Sequence, residues 1–80
     1  MMSSVAIVIL NWNNPADTLA CLDSVAALDY PAARVIVVDN GSTDDSVARI
    51  RAAYPNVTLI ETGENLGYAG GNNVGIRHAL

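Results

Sequence analysis

Three short runs of aliphatic residues, each breaking off into small polar residues, constrain this 80-residue chain more than any other feature. Residues 5–10 read VAIVIL, residues 34–39 read RVIVVD and residues 57–61 read VTLIE. The first two show no polar alternation. A strand with one wet face alternates, so a continuous run suits a strand buried on both faces, as in a parallel sheet.

The segments between the runs read as helices. After the first run come Asn14 as an N-cap, Pro15 at the first helical position and Asp17 to complete a capping-box-like start. Leu19, Leu22 and Ala26 then recur at helical spacing, with Val25 beside them and Cys21 as a small core residue. Pro31 disfavours helical geometry at Tyr30, so the helix is expected to stop near Asp29. After the second run and the turn at Asn40 and Gly41, Ser42 and Asp45 predict a second capping box. Val47, Ile50 and Tyr54 mark one helical face, which Pro55 ends. Tyr30 and Tyr54, each before a proline, read as packing residues. The third run leads through GENLGYAGGNNVG into a last helix at residues 75–80. Strand and helix alternating three times predict an α/β fold: a Rossmann-like parallel sheet of three β-α units with right-handed crossovers. Residues 76–80 read as helix interior with no stop signal, so residues 1–80 are expected to be a fragment of a longer domain.

Charge narrows the function classes. The net charge is −4, and the four basic residues, Arg34, Arg49, Arg51 and Arg77, are scattered. No basic stripe exists to displace counterions from a phosphate backbone, which argues against nucleic acid as a partner. Cys21 is the single cysteine, so an internal disulfide and a cysteine-based zinc site are both ruled out. Met1 to Ser4 carry no basic n-region, and the apolar run after them is too short to span a bilayer. The expectation is a cytoplasmic domain with no membrane segment.

Ligands of open parallel sheets bind outside the carboxyl ends of the strands. Those ends here are residues 11–14, 39–42 and 62–73, all rich in Asn, Asp, Ser and Gly. Asp39 follows four apolar residues, where a carboxylate can accept from a base N–H or a ribose hydroxyl; the alternative is that it only satisfies the turn. Trp12 in a polar loop either covers the core or stacks on a ring. The glycine segment is either a small-residue helix start that lets backbone approach a ligand, with Asn72 and Asn73 as donors, or a turn packed on its neighbour. Tyr68 lies inside it. Asp44 and Asp45 read as helix N-terminal charge, and His78 as solvated or internally satisfied.

Two familiar phosphate cradles fail. The turn after the first strand, NWNNP, has no glycine for a dinucleotide fingerprint. Gly70 and Gly75 have P-loop spacing, but Ile76 and Arg77 follow instead of Lys and Ser or Thr. A receiver-type domain needs acids where Asn11, Asn13 and Asn14 stand.

Taken together, the three loop sequences resemble the family 2 glycosyltransferases of the GT-A fold, over nearly the whole chain. Trp12 and Asn13 match that family's aromatic-Asn segment. Residues 38–44 (VDNGSTD) match its V-D-D/N-G-S-T-D pattern, and ENLG at 64–67 with NVG at 73–75 match its E-N-x-G and N-x-G segments. Many members have a second acid where this chain has Asn40. The pairing of VDNGSTD with NLGYAGGNN looks most like the rhamnosyltransferase-type branch, which uses dTDP-rhamnose or a similar donor. The resemblance implies that Trp12 lies against the base and that Asp39 and Asn40 bind the base edge or ribose. The candidate nucleotide-sugar-binding residues are then Trp12, Asn13, Asp39, Asn40, Ser42, Asn65, Gly67, Gly71, Asn72 and Asn73. It also implies an inverting transfer to a glycan or lipid-linked acceptor, in a parent enzyme that sits in the cytoplasm or at the inner face of the membrane. The divalent metal (Mg or Mn), its Asp-x-Asp ligands and the catalytic base belong further along the parent. This chain then supplies donor recognition and no transferase activity of its own. A non-catalytic Rossmann-like nucleotide-binding module is the competing expectation, and a truncated product that never folds stably is a third.

Overall fold

The second aliphatic run forms the centre of the molecule. In the computed structural model, which describes residues 5–28 and 33–80, strand β2 (Ala33–Asp39) lies between β1 (Val5–Asn11) and β3 (Thr58–Glu61). Both pairings are parallel. Ile36, Val37 and Val38 are wholly buried, as a strand covered on both faces should be. β1 is an edge of this sheet, and among its aliphatic residues only Ile9 is fully buried.

Helix α1 (Pro15–Ala27) and helix α2 (Ser46–Ala53) pack against each other on one face. Ile9, Leu22, Val37 and Ile50 form the core there, with Leu19, Tyr54, Val57 and Leu59 against it. Asn14 starts α1 as expected: its Oδ1 accepts from the Asp17 amide at 3.4 Å and its Nδ2 donates to the Asp17 carboxylate at 2.8 Å. Two α1 expectations need correcting. The buried stripe is Pro15, Thr18 and Leu22, which turns Cys21 and Ala26 out to solvent. The stop at Tyr30 and Pro31, and the packing role of Tyr30, lie outside the described residues; α1 ends at Ala27.

Helix α3 (Gly67–Ala79) crosses β1 and β2 on the opposite face. It begins eight residues before the Gly75 start expected from sequence. Gly71 and Gly75 sit inside it and are buried. A Cβ on Gly71 would stand 2.5 Å from Leu10 Cδ1, and one on Gly75 would stand 2.5 Å from Val8 Cγ1. The glycines are thus the price of laying helix backbone directly on the sheet. By the right-handed crossover rule, a helix on this face leads toward the free edge of β1. Ligands of open parallel sheets bind at the carboxyl ends of the strands, which here lie at Asn11, Asp39 and Glu61.

Tyr54, the C-cap of α2, donates its hydroxyl to Asp23 on α1. That hydrogen bond, with lesser help from desolvation and the Asp23 charge, raises the phenol above its ordinary 10.0. A raised phenol favours the folded state while it is protonated, and that contribution is lost as pH climbs from 10 through the folded value. Thermal melts of wild type and Tyr54→Phe between pH 8 and 12 check this. The wild type should lose more Tm above pH 10 than the variant; parallel curves would show the contact contributes nothing.

Candidate functional site at the carboxyl edge of the sheet

The in-register ladder brings the last residues of neighbouring strands side by side, Asn11 opposite Asp39 and Asp39 opposite Glu61. Asn11 and Asp39 are 1% and 3% exposed, so their polar groups must find partners within the protein. Asn11 Nδ2 donates to Asp39 Oδ1 at 2.8 Å and to Ser42 Oγ at 3.2 Å. Asn11 Oδ1 accepts from Thr18 Oγ1 at 2.6 Å, tying the strand end to α1. Ser42 Oγ donates to Asp39 Oδ1 at 2.6 Å, and the Ser42 amide donates to Asp39 Oδ2 at 3.0 Å.

Ser42 is therefore not the cap expected of it. Its single hydroxyl proton is directed to Asp39, and its lone pairs receive Asn11 and the Asn13 amide, the latter at 2.9 Å. The start of α2 falls instead to Asp44, whose Oδ1 accepts from the Ser46 amide at 2.9 Å and from Ser46 Oγ at 2.5 Å. Asp45 occupies the N-cap position without a side-chain bond. The Ser46 hydroxyl holds the Asp44 carboxyl below its ordinary range.

Asn13 adopts a left-handed conformation, φ 49°, that few residues besides glycine and asparagine accept. In it, Oδ1 receives the amides of Thr43 at 2.8 Å and Asp44 at 3.3 Å. The first and second loops are thus one stitched unit. Trp12 belongs to this unit and is 52% exposed.

The third loop, residues 62–66, is bound to the second through Asn40, 2% exposed. Asn40 Nδ2 donates to Asn65 Oδ1 and to the Gly67 carbonyl, both at 3.1 Å. Its Oδ1 receives the Leu66 amide at 3.0 Å; Thr62 Oγ1 lies 3.3 Å away and donates its proton to the Glu64 carbonyl at 2.6 Å. Asn65 Oδ1 also receives the Gly67 amide, at 2.8 Å. Gly41, at φ 80°, passes so close beneath this loop that a Cβ would meet Glu64 and Asn65 backbone.

Seven expected residues therefore share one polar edge: Trp12, Asn13, Asp39, Asn40, Ser42, Asn65 and Gly67. Gly71 lies beside the Asn40 amide but inside α3, and it packs rather than turns. Asn72, half-buried, and Asn73, exposed, are likewise helical residues in the second turn and not donors of a helix start. Asn11, Thr18 and Thr62 were not anticipated as site residues. The signal for Asn11 was available, since a polar residue ending one strand run must neighbour the one ending the next.

A groove of about 320 Å³ beside the first loop is lined by Ile9, Leu10, Asn14, Asp17, Thr18 and Cys21. Neither it nor a second groove, at Arg34 and Asn56, includes Trp12, Asp39 or Asn40. The first turn of α3 opens at this edge, and its leading N–H groups have no partner within the helix. Among the described residues, no cluster of three His, Cys, Asp or Glu side chains could hold a metal ion. No helix among them is long and apolar enough to cross a membrane.

Comparison with known proteins agrees with this geometry. The sequence model described as Glycosyl transferase family 2 matches residues 6–80. A low-salt glycan biosynthesis hexosyltransferase of Haloferax volcanii is 31% identical over all of this chain and 24% of its own length. An N-acetylglucosaminyl-diphospho-decaprenol L-rhamnosyltransferase of Mycobacterium tuberculosis is 53% identical over 34 residues, 42% of this chain and 11% of its own. A mannosyltransferase of Pyrobaculum calidifontis, solved with GDP-Man and Mn2+, superposes with a TM-score of 0.85 at 31% identity. That alignment covers 95% of this chain and 24% of the mannosyltransferase. The chain thus spans about a quarter of the length of the hexosyltransferase and of the solved mannosyltransferase.

Proposed function

The chain belongs to glycosyl transferase family 2, and on that premise we propose that its three strand-end loops form the nucleotide side of a donor site for a nucleotide-diphosphate sugar. The observation that carries the reading is an exposed indole, Trp12, whose chain neighbours Asn11 and Asn13 are tied into a network of mutually satisfied polar residues at the carboxyl edge of a parallel sheet. The indole supplies a stacking face for the base. Beyond the Leu66 and Gly67 N–H groups already held by Asn40 and Asn65, the amides of Tyr68 and Ala69 supply donors and a positive dipole end for the diphosphate, which matters because the four arginines are scattered along the chain. Asp39 and Asn40 act on the ligand only through this network, their side chains engaged with the loops.

The parent enzyme, in this reading, transfers a hexose with inversion to a glycan or lipid-linked acceptor at the cytoplasmic side. The match to the rhamnosyltransferase favours rhamnose as the sugar, whereas the solved neighbour holds GDP-Man. The described residues do not fit a divalent metal, so no step through one is assigned to this chain. Its part is to bind and orient the donor.

Trp12 is the only tryptophan, which makes it a reporter. Titration with GDP, UDP and dTDP should quench its fluorescence saturably for at least one of them. Trp12→Ala should weaken that binding about tenfold or more by calorimetry, since base–aromatic stacking contributes roughly 1–3 kcal/mol. Absence of binding for all three nucleotides at millimolar concentration, with the fold intact by circular dichroism, would overturn the reading.

A further inference from the structure

We propose that Asn40 is a positioning residue whose amide latches the third loop over the end of β2, through two N–H groups that an ionised carboxylate in this chain's network would lack. The inference rests on the donor-site reading for its consequence, because the latched loop forms one wall of that site, but the latch itself is defined by contacts within the chain.

The polarity of the surroundings is what demands an amide. Around Asn40 Nδ2 lie two acceptors, Asn65 Oδ1 and the Gly67 carbonyl. Oδ1 receives the Leu66 amide, while the Thr62 hydroxyl beside it is directed to the Glu64 carbonyl. Both amide hydrogens are used, and the oxygen receives one firm bond, from the Leu66 amide. Flipping the amide would set an NH2 against the Leu66 N–H and an oxygen against the Gly67 carbonyl, so the orientation is fixed by the network. An aspartate keeps the contact to the Leu66 amide. It also places an anionic oxygen about where Nδ2 stands, 3.1 Å from two acceptor oxygens, at a position 2% exposed. The loop must then lift away. The start of the loop is pinned separately, by the Thr62 amide on the Asp39 carbonyl at 3.0 Å, but its far end relies on Asn40: Gly67 sits at φ 76°, with space around it, and Leu66 caps α3 without a side-chain bond of its own. A residue that is fully spent inside the protein cannot also read a base edge. Residue 40 therefore acts on the nucleotide through the position of residues 62–67.

Amide hydrogen exchange on the chain tests the latch without any ligand. In Asn40→Asp at neutral pH, protection at Leu66 and Gly67 should fall about tenfold, the loss of roughly one hydrogen bond's worth of stabilisation, while Val37 in β2 keeps its protection. Lowering the pH through the carboxyl range should restore part of that protection, because a protonated carboxyl regains one O–H donor for Gly67 or Asn65. General destabilisation would not recover on acidification. Asn65 is exposed, so Asn65→Ala is safe for folding; it should expose the Gly67 amide and leave Leu66 held by Asn40. Calorimetry with GDP, UDP and dTDP should then show both variants binding more weakly in step with lost protection, whereas Trp12→Ala loses binding with protection intact. Unchanged exchange at Leu66 and Gly67 in Asn40→Asp would overturn the latch. Released loops with undiminished nucleotide binding would overturn its role in the site. Failure of the wild type to bind any of the three nucleotides would instead overturn the donor-site reading, with the exchange result still judging the latch.

Discussion

Gly41→Ala is expected to destabilise the chain by about 2–5 kcal/mol, and with it the edge that holds the candidate site. Two independent costs meet at this position. The backbone is left-handed, φ 80°, which an L-residue with a Cβ resists by roughly 1–2 kcal/mol. The added Cβ would also stand 2.6 Å from the Glu64 carbonyl carbon, 2.7 Å from its Cα and 2.8 Å from the Asn65 nitrogen. These are backbone atoms, with no rotamer to move them aside, so overpacking adds roughly 1–3 kcal/mol more. A domain of this size has only about 4–12 kcal/mol of total stability, so much of it would be lost. Gly63 supplies the control: its φ is 81°, yet nothing lies within 4 Å of its missing Cβ. Gly63→Ala therefore bears the conformational cost alone. Urea denaturation should place the Gly41→Ala midpoint well below that of Gly63→Ala. Equal midpoints would mean that the close passage of the third loop over Gly41 contributes nothing, and that the site is less tightly built than described.

The same closeness explains what the sequence could and could not reveal. The sheet was legible because β2 is buried on both faces and its residues can be little else than aliphatic, and the α1 start because Asn14, Pro15 and Asp17 act locally. The errors fall where a tertiary contact outbid a local one. Ser42 has the right type and spacing to cap α2, but the buried Asp39 carboxylate claims its hydroxyl, and Asp44 caps in its place. Residues 67–75 look like a loop because glycine is a poor helix former, yet Val8 and Leu10 leave no room for larger side chains beneath α3. Cys21 was assigned to the core on residue type, while the phase of the Pro15, Thr18 and Leu22 stripe turns it outward. At the candidate site, residue types pointed to the carboxyl edge of the sheet, where seven of them gather. They could not tell that Asp39 and Asn40 face inward, since exposure depends on the loops that fold over them.

Asp39→Asn should cost about 2–4 kcal/mol, and exchanging the pair, Asn11→Asp with Asp39→Asn, should recover most of it. Every partner of the Asp39 carboxylate is a donor: Asn11 Nδ2 and Ser42 Oγ on Oδ1, and the Ser42 amide on Oδ2. An amide at residue 39, in either orientation, sets its NH2 against one of them in a site 3% exposed. In the exchanged pair the directions reverse without moving an atom far. Residue 39 now donates to residue 11 across the same rung of the β1–β2 ladder and still accepts from the Ser42 amide. The new carboxylate at residue 11 accepts from Thr18 Oγ1 as the asparagine oxygen does, and Ser42 Oγ turns its proton toward it. Urea denaturation of the two single variants and the double gives the coupling directly. A double variant no more stable than Asp39→Asn would show that the charge at residue 39, and not the donor–acceptor pattern, stabilises the edge. Nucleotide titration of the same double variant separates scaffold from contact. If Asp39 serves as scaffold, restored stability brings restored binding. If its carboxylate itself meets the base or ribose, the fold returns and the affinity does not.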